Sequence, residues 1–417
     1  MSQIKKIPPK DYAAFVQIMV DAYPGAKINS TEQMEQARKR LLRVDRENPR
    51  LTSYGLYQGK SLLGAMKLYD FSMTFGQTIL EVGGVGSVAV DLAHKKEKVC
   101  KRLIDFYLDH YRNKGTALAA LYPFRPDFYK KMGFGYGVKH NRYKIKPGDL
   151  PYSDRRKKVR FFRPPDLRKL VDCYNRYAAV THGMMGRLKY ETERFKKTEI
   201  KTVCYMSGKT IKGFIVFTFT DGKDDNFVSN DLKIIEMIYE NRETLAGLLG
   251  FLHTQADQVR YITYNTQDEY FHHVPSDPRS DTEVLFPPVA HESNIQGVGL
   301  MYRVLDIKRL FALLKDHNFN GQTIRLKLAI RDSFMPENQG ELIVHFNEGR
   351  ARLPRSQDDW EVEIELDMSD FSSMIMGVID FFDLYRFGQA EISDKAYIET
   401  ITRLFRTDRK PVCTTEF

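Results

Sequence analysis

Five basic side chains crowd one short stretch, His94, Lys95, Lys96, Lys98 and Lys101 within VDLAHKKEKVCK. Cations at that density suit a diphosphate or another compact polyanion. Ahead of them runs VGGVGSVAV, whose Val85, Val88 and Val90 among Gly and Ser predict a strand. Behind them Val99, Leu103, Phe106 and Tyr107 recur at helical spacing, with Cys100, Ile104 and Tyr111 alongside. That pattern predicts an amphipathic helix. A strand, a basic loop and a helix start bring free N–H groups and the positive end of a helix dipole to one spot. The competing reading is a solvated charge run at a helix start, and both stay open on this stretch alone.

Other reactive residue types give less. Cys100 lies at the predicted helix start among lysines, which would lower a thiol's pKa. It has no evident His or Asp partner, so it reads as packing. Gly59-Lys60-Ser61 and Gly208-Lys209-Thr210 look like fragments of a phosphate loop. The glycine such a loop needs five positions earlier is Tyr54 in one and Val203 in the other, so both read as hairpin turns. Cys100, Cys173, Cys204 and Cys413 are far apart, with no metal-ligand spacing, so no metal site and no disulfide scaffold are expected. His272–His273 reads as a solvated turn within a surface loop over Asp268–Glu283.

The whole chain sets the frame. Its 417 residues predict two or three domains, and 42% hydrophobic residues suffice for real cores. A net charge of +10 suits an anionic partner, but it is spread without a basic tail, which argues against nucleic acid. The first residues, MSQIKKIPPKDY, hold no apolar signal core, and no run is long enough for a membrane span. A cytoplasmic protein with no membrane partner is the expectation.

The elements that must position the basic stretch follow in order. A strand at Ile4–Ile7 leads to a helix through Tyr12, Phe15, Val16 and Met19, closed by Pro24–Gly25. A second helix is predicted over Ser30–Arg46, then a hairpin of Leu51–Tyr57 and Leu62–Tyr69, with Phe71–Leu80 leading into the next strand. Beyond the basic unit come a strand at Thr116–Leu121, a short helix at Pro126–Met132, and a strand at Tyr136–Ile145 closing a domain over 1–150. The fold class is α/β (α+β) with mixed sheets. MSGKTIKGFIVF then matches YQGKSLLGAMKL, with Gly59, Lys60, Ser61 and Gly64 paired at one constant interval to Gly208, Lys209, Thr210 and Gly213. An internal repeat of a whole domain follows, over 151–290. It lacks the basic loop, since only ENRE separates its strand Lys233–Tyr239 from its helix, so no cofactor is expected there. A third unit over 291–417 has predicted strands at Tyr302–Leu305, Thr323–Ile330, Glu341–Phe346 and Trp360–Leu366, and helices at Ile307–Leu314, Phe371–Tyr385 and Tyr397–Phe405.

The order strand, basic loop, helix, strand, then FYKKMGFGYG resembles the acetyl-CoA half of the GNAT acetyltransferase superfamily. With the degenerate second copy, a C-terminal module similar to sterol-carrier folds (MYRVLDIKRLF, RDSFMPENQGELIVHFNEG) and a chain ending in Phe, the whole is similar to the enhanced intracellular survival (Eis) family. The resemblance implies a hexameric N-acetyltransferase acting on amines such as aminoglycosides. It implies that Val88, Ala89 and Val90 hold the pantetheine arm, and that His94, Lys95, Lys96, Glu97 and Lys98, with Val99, Cys100 and Lys101 opening the helix, hold the pyrophosphate. It implies that Tyr129 protonates the departing thiolate and that the free carboxylate of Phe417 acts as base; Glu416, beside it, is a lesser candidate for contact with the amine. The family loop has arginines and then a glycine; this chain has lysines, and Lys98 at the glycine position. Acceptor pockets of the family use variable loops, here Ala22–Thr31 and Phe71–Gln77. The alternative is a non-catalytic carrier that binds an apolar ligand in the C-terminal module.

Overall fold

In the computed structural model, which describes residues 2–221, 229–354 and 359–417, the chain opens with β1 (Ser2–Lys6), α1 (Tyr12–Ala22) and α2 (Thr31–Glu47). Ser30 caps α2 by accepting from the Gln33 N–H, and the Gln33 side chain accepts from the Ser30 N–H. Such a reciprocal cap contributes about 1 kcal/mol. β2 (Leu51–Gln58) turns into β3 (Ser61–Phe75) at Gly59, whose φ of +60° is one a side chain would resist. Phe71–Gln77, expected as a connecting loop, instead continues β3 and turns at Gly76 into β4 (Thr78–Val90). Phe71, Met73 and Phe75 are all buried, so the alternate residues of the extension serve one apolar face. Then follow α3 (Val99–Asn113), β5 (Leu118–Leu121), α4 (Pro126–Lys130) and β6 (Gly135–Tyr136).

Tyr136–Ile145, expected as one strand ending the first domain, is divided between two sheets. β6 stops at Tyr136, the Gly137 N–H bonds the Leu300 carbonyl, and β7 (Lys139–Ile145) enters a second sheet. That sheet goes on with β8 (Val159–Phe161), α5 (Leu167–Ala179), β9 (Lys201–Ser207), β10 (Thr210–Asp221), β11 (Asn230–Tyr239), α6 (Arg242–His253) and β12 (Val259–Thr266). A small hairpin of β13 (Leu285–Phe286) and β14 (Ala290–His291) precedes β15 (Ile295–Val298). The sheet order is β15-β7-β12-β11-β10-β9-β8. The internal repeat is visible in its backbone: Gly208 turns β9 into β10 at φ +58°, as Gly59 does in the first sheet.

Met301–Val304, expected within the third unit, is β16 of the first sheet, whose order is β1-β2-β3-β4-β5-β16-β6. Its four residues are buried, and its partners β5 and β6 lie far back in the chain, which local patterning does not reveal. Beyond it come α7 (Ile307–Leu313), β17 (Ile324–Arg331), β18 (Gly340–Asn347), β19 (Arg350–Arg352), β20 (Val362–Asp367), α8 (Met368–Ile375), α9 (Phe381–Arg386), β21 (Ala390–Ile392) and α10 (Ile398–Phe405). The helix expected over Phe371–Tyr385 is interrupted at Gly377, which has φ +69°, and becomes α8 and α9. These strands form a five-stranded sheet ordered β19-β18-β17-β20-β21.

The described chain divides into two compact units. One joins residues up to Gly137 with Leu300–Pro411 and Thr415–Phe417; the other joins Val138–Gly299 with Val412–Thr414. In the first, α3 buries Leu103, Ile104, Tyr107 and Tyr111 against β3 and β4, and Met335 of the C-terminal module completes that same core. Arg303 of β16 is fully buried and pairs with Asp332 at 2.6 Å. Removing one partner would strand the other charge in the core, at a cost of about 3–5 kcal/mol. Among the described residues, no helix is long and apolar enough to cross a membrane.

Candidate active site

β4 is the strand that builds the site. Its ladder with β5 runs from Val82 opposite Leu118 to Val85 opposite Leu121 and stops there, while β4 continues to Val90. At the point of separation β4 bulges against β3, the register shifting between Ala65 and Lys67, and Ser87 takes φ 52°. A bulge bends its strand away from a neighbour. The Asp91 N–H bonds the Leu63 carbonyl, so Ala89, two residues earlier, also turns its backbone to β3, and its methyl group packs among Tyr12, Phe15 and Leu62. Val88 and Val90 turn theirs to the open side. The Tyr23 hydroxyl already uses one of these groups, donating to the Val88 carbonyl at 2.6 Å.

The basic loop leads from the open end of β4 into α3. Lys95, Lys96 and Lys98 are exposed and have no ion pair among the described residues. Lys96 and Lys98 both take positive φ, 68° and 60°. Lys98 is left-handed and Val99 is helical, a succession that turns neighbouring N–H groups into one concavity suited to an anion. The conformation expected of the family's glycine is therefore kept, with a lysine held in it. His94 Nδ1 lies 3.0 Å from Glu97 Oε2, and Asp91 accepts from the Ala93 N–H, so both carboxylates of the loop are engaged within it. Lys101 bonds Asp105 one turn along α3 and also lies over the Phe334 ring at 4.7 Å.

Cys100 packs against the core, the reading that its lack of a His or Asp partner favours. Its thiol is not lowered by the lysines; burial pushes it up to about 11. The lysines are exposed and screened, whereas the sulfur faces the core, so desolvation prevails.

Tyr129 sits on α4, buried among Phe124, Phe128 and Phe134 with ring centroids 5.3–5.9 Å away. The turn after it is tight: the Met132 and Phe134 N–H groups both bond the Tyr129 carbonyl, and Gly133 takes φ +79°. Burial holds its phenol well above the ordinary value, and the smaller contributions come from Cys100 and Tyr23. The same Tyr23 bonds Val88, so Tyr129, the first turn of α3 and the open end of β4 are neighbours.

The chain end reaches the same strand. The Phe417 ring packs on Phe71 at 4.8 Å, Tyr122 at 5.4 Å and Tyr69 at 5.5 Å. The Tyr122 hydroxyl donates to the Thr415 carbonyl at 3.1 Å. A methyl group at Gly86 would lie 2.7 Å from the Phe417 carboxyl carbon, and one at Gly84 would lie 3.1 Å from its ring. The terminal carboxylate thus rests on Gly86, two residues before Val88, and glycine alone leaves room for it. Glu416 is exposed. Sequence reasoning missed Tyr69, Tyr122 and the role of Gly86, while Tyr23 and Phe71 fall within the two segments expected to line the acceptor pocket. The available signal was the alternation of Gly84 and Gly86 on one face of a strand.

The second unit has a different arrangement on the matching strand. Glu236 lies where the bulge of β11 falls, buried and paired with Arg187 at 2.7 Å and with Arg194. The Thr414 hydroxyl donates to Glu236 at 3.1 Å, and Arg187 stacks on Tyr174 at 3.7 Å. Only Glu240 and Asn241 separate β11 from α6.

Three domain families match the chain: a GNAT acetyltransferase domain over residues 3–137, a second GNAT acetyltransferase domain over 183–304, and a sterol carrier protein domain over 310–414. Comparison with curated protein sequences finds no match. Among solved structures, the chain is similar to a GCN5-related N-acetyltransferase from Kribbella flavida, at 18% identity and a TM-score of 0.78. It is also similar to one from Anabaena variabilis, at 15% and 0.80, and to Eis1 from Mycobacterium abscessus, at 15% and 0.75. Each likeness covers 100% of both chains, and at these identities it is a likeness of fold.

Proposed function

We propose that this chain, with its two GNAT acetyltransferase domains, is an Eis-like N-acetyltransferase whose first domain moves acetyl directly from acetyl-CoA to a primary amine of a small molecule, of aminoglycoside or polyamine type. The observation that carries this reading is the Phe417 carboxylate seated on Gly86, beside a β4 end that runs past its ladder with β5 and leads into a loop of exposed lysines.

The residues supply the three things the reaction needs. Val88 and Val90 offer backbone groups along the open edge of β4 for the pantetheine arm and for the carbonyl oxygen as it gains charge. Binding there displaces the Tyr23 hydroxyl from the Val88 carbonyl. The N–H concavity at Lys98–Val99, with Lys95 and Lys96, receives the diphosphate. The Phe417 carboxylate holds the cationic amine at the strand and draws off its proton as the nitrogen bonds the acetyl carbon and turns acidic; a chain-end carboxyl near pKa ~3.3–3.7 is too weak to take it from a free ammonium. Tyr129 faces the leaving sulfur. Burial keeps the phenol protonated at every working pH, so it acts first as a hydrogen-bond donor to the thiolate, a group of ordinary pKa ~8.5. The cytoplasmic hexamer implied by the resemblance remains part of this proposal, checked by light scattering.

Tyr129→Phe removes the donor and little else. Turnover, read as thiol release from acetyl-CoA with a polyamine panel, falls more than tenfold while acetyl-CoA affinity is unchanged. Equal turnover in both proteins overturns the role. Apolar-ligand binding with no thiol release from any amine would favour the carrier instead.

A further inference from the structure

The helix that carries Tyr129 has only five residues, too short to hold its own orientation. Its end is fastened from outside. Arg303 of β16 donates through Nη1 to the Met132 carbonyl, in the turn that closes back on the Tyr129 carbonyl. Gly133 makes this approach possible, since a side chain there would occupy the guanidinium's place. Arg303 is in turn held by Asp332 of the C-terminal module, through Nη2 at 2.6 Å. Asp332 is fixed by accepting from the N–H groups of Phe334 and Met335, at 3.2 and 3.0 Å. A second tie comes from the same module: Lys130, next to Tyr129, bonds Asp370 of α8 at 3.1 Å. α8 itself is anchored to the first sheet, its Ser372 hydroxyl accepting from the Val304 N–H and its Ser373 hydroxyl donating to the Tyr136 carbonyl.

We infer that the C-terminal sterol-carrier-like module is the clamp of the Tyr129 helix, and that Arg303 is a positioning residue for the phenol. A buried ion pair is poor evidence of stability, because desolvation offsets its attraction. Its worth here is orientation: a planar guanidinium bridging a fixed carboxylate and one carbonyl admits a single geometry. The inference rests on Tyr129 being the donor to the leaving thiolate. A shift of that phenol by about 1 Å is enough to cost a large factor in rate.

The test is a double-mutant cycle on the full chain with acetyl-CoA and a polyamine acceptor. Arg303→Lys keeps the charge and removes the fork. It is expected to lower kcat at least tenfold, with the KM for acetyl-CoA within twofold. In a Tyr129→Phe background the same change is expected to cost less than twofold, since nothing is left to position. An equal loss in both backgrounds, or full activity of Arg303→Lys, overturns the inference while leaving the donor role intact. Wild-type turnover of Tyr129→Phe alone overturns the donor role and this inference with it. Should Arg303→Lys not fold, the near-isosteric Asp370→Asn at the second tie takes its place, with a threefold to fivefold loss of kcat expected only when Tyr129 is present, and a loss of equal size without Tyr129 counting against the clamp.

Discussion

Lys98 holds a backbone conformation that its side chain disfavours, at φ 60°. For a residue with a Cβ this costs roughly 1–2 kcal/mol, whereas glycine returns roughly 0.5–1 kcal/mol of that through its freer unfolded chain. Relief prevails, so Lys98→Gly is expected to stabilise the protein by about 0.5–1 kcal/mol, read as a higher thermal midpoint; a lower one would show that the lysine makes a compensating contact. Cys100 shows the opposite lesson. Four nearby lysines would by themselves lower its thiol, but its place against the core decides otherwise. With its thiol pushed up to about 11, Cys100 in the native protein should alkylate far more slowly at pH 8 than the same thiol after unfolding, measured by mass spectrometry with iodoacetamide.

β4 does three jobs through its local pattern. Its first part is a paired core strand, its bulge at Ser87 bends it from β5, and its last residues run on past the ladder with β5. The glycines between serve the chain end. Gly86→Ala places a methyl group against the terminal carboxyl, and the chain end is the part free to yield. Acetyl transfer is therefore expected to fall at least tenfold, while acetyl-CoA affinity and thermal stability, set by the loop and the core, stay close to wild type. A peptide tag fused after Phe417 should act alike, because the extended chain no longer offers a carboxylate over Gly86. A fully active tagged protein would remove the terminal carboxylate from the reaction.

Across the whole molecule, buried tyrosines link the cores to pH. Burial raises the phenols of Tyr69, Tyr107, Tyr111 and Tyr129 above their ordinary value. In the folded protein they keep their protons above pH ~10, where the unfolded chain loses them. Their stabilisation is thus full below pH ~10 and is lost as pH rises past it. Unfolding followed by circular dichroism should set in above that pH together with the share of tyrosinate absorbance that belongs to the buried phenols, beyond the share of exposed Tyr136, Tyr152 and Tyr270.

The amino-acid order by itself determined what depends on neighbours. Gly59 and Gly208 fixed two hairpins, Ser30 with Gln33 fixed a helix start, the spacing of Val99, Leu103 and Tyr107 fixed α3, and the lysines marked the anion loop. The tertiary structure alone decided what depends on distant partners. It gave Lys139–Ile145 to the second sheet and Met301–Val304 to the first, because strand pairing is a matter of which edge is free, and an alternating pattern names no edge. It also decided that Arg303 would meet Met132 and that Phe417 would lie on Gly86, contacts between residues 171 and 331 positions apart in the chain. Burial raised Cys100 and Tyr129 for the same reason: a group's solvent is set by everything that folds around it, and the residues beside it in sequence are only a small part of that.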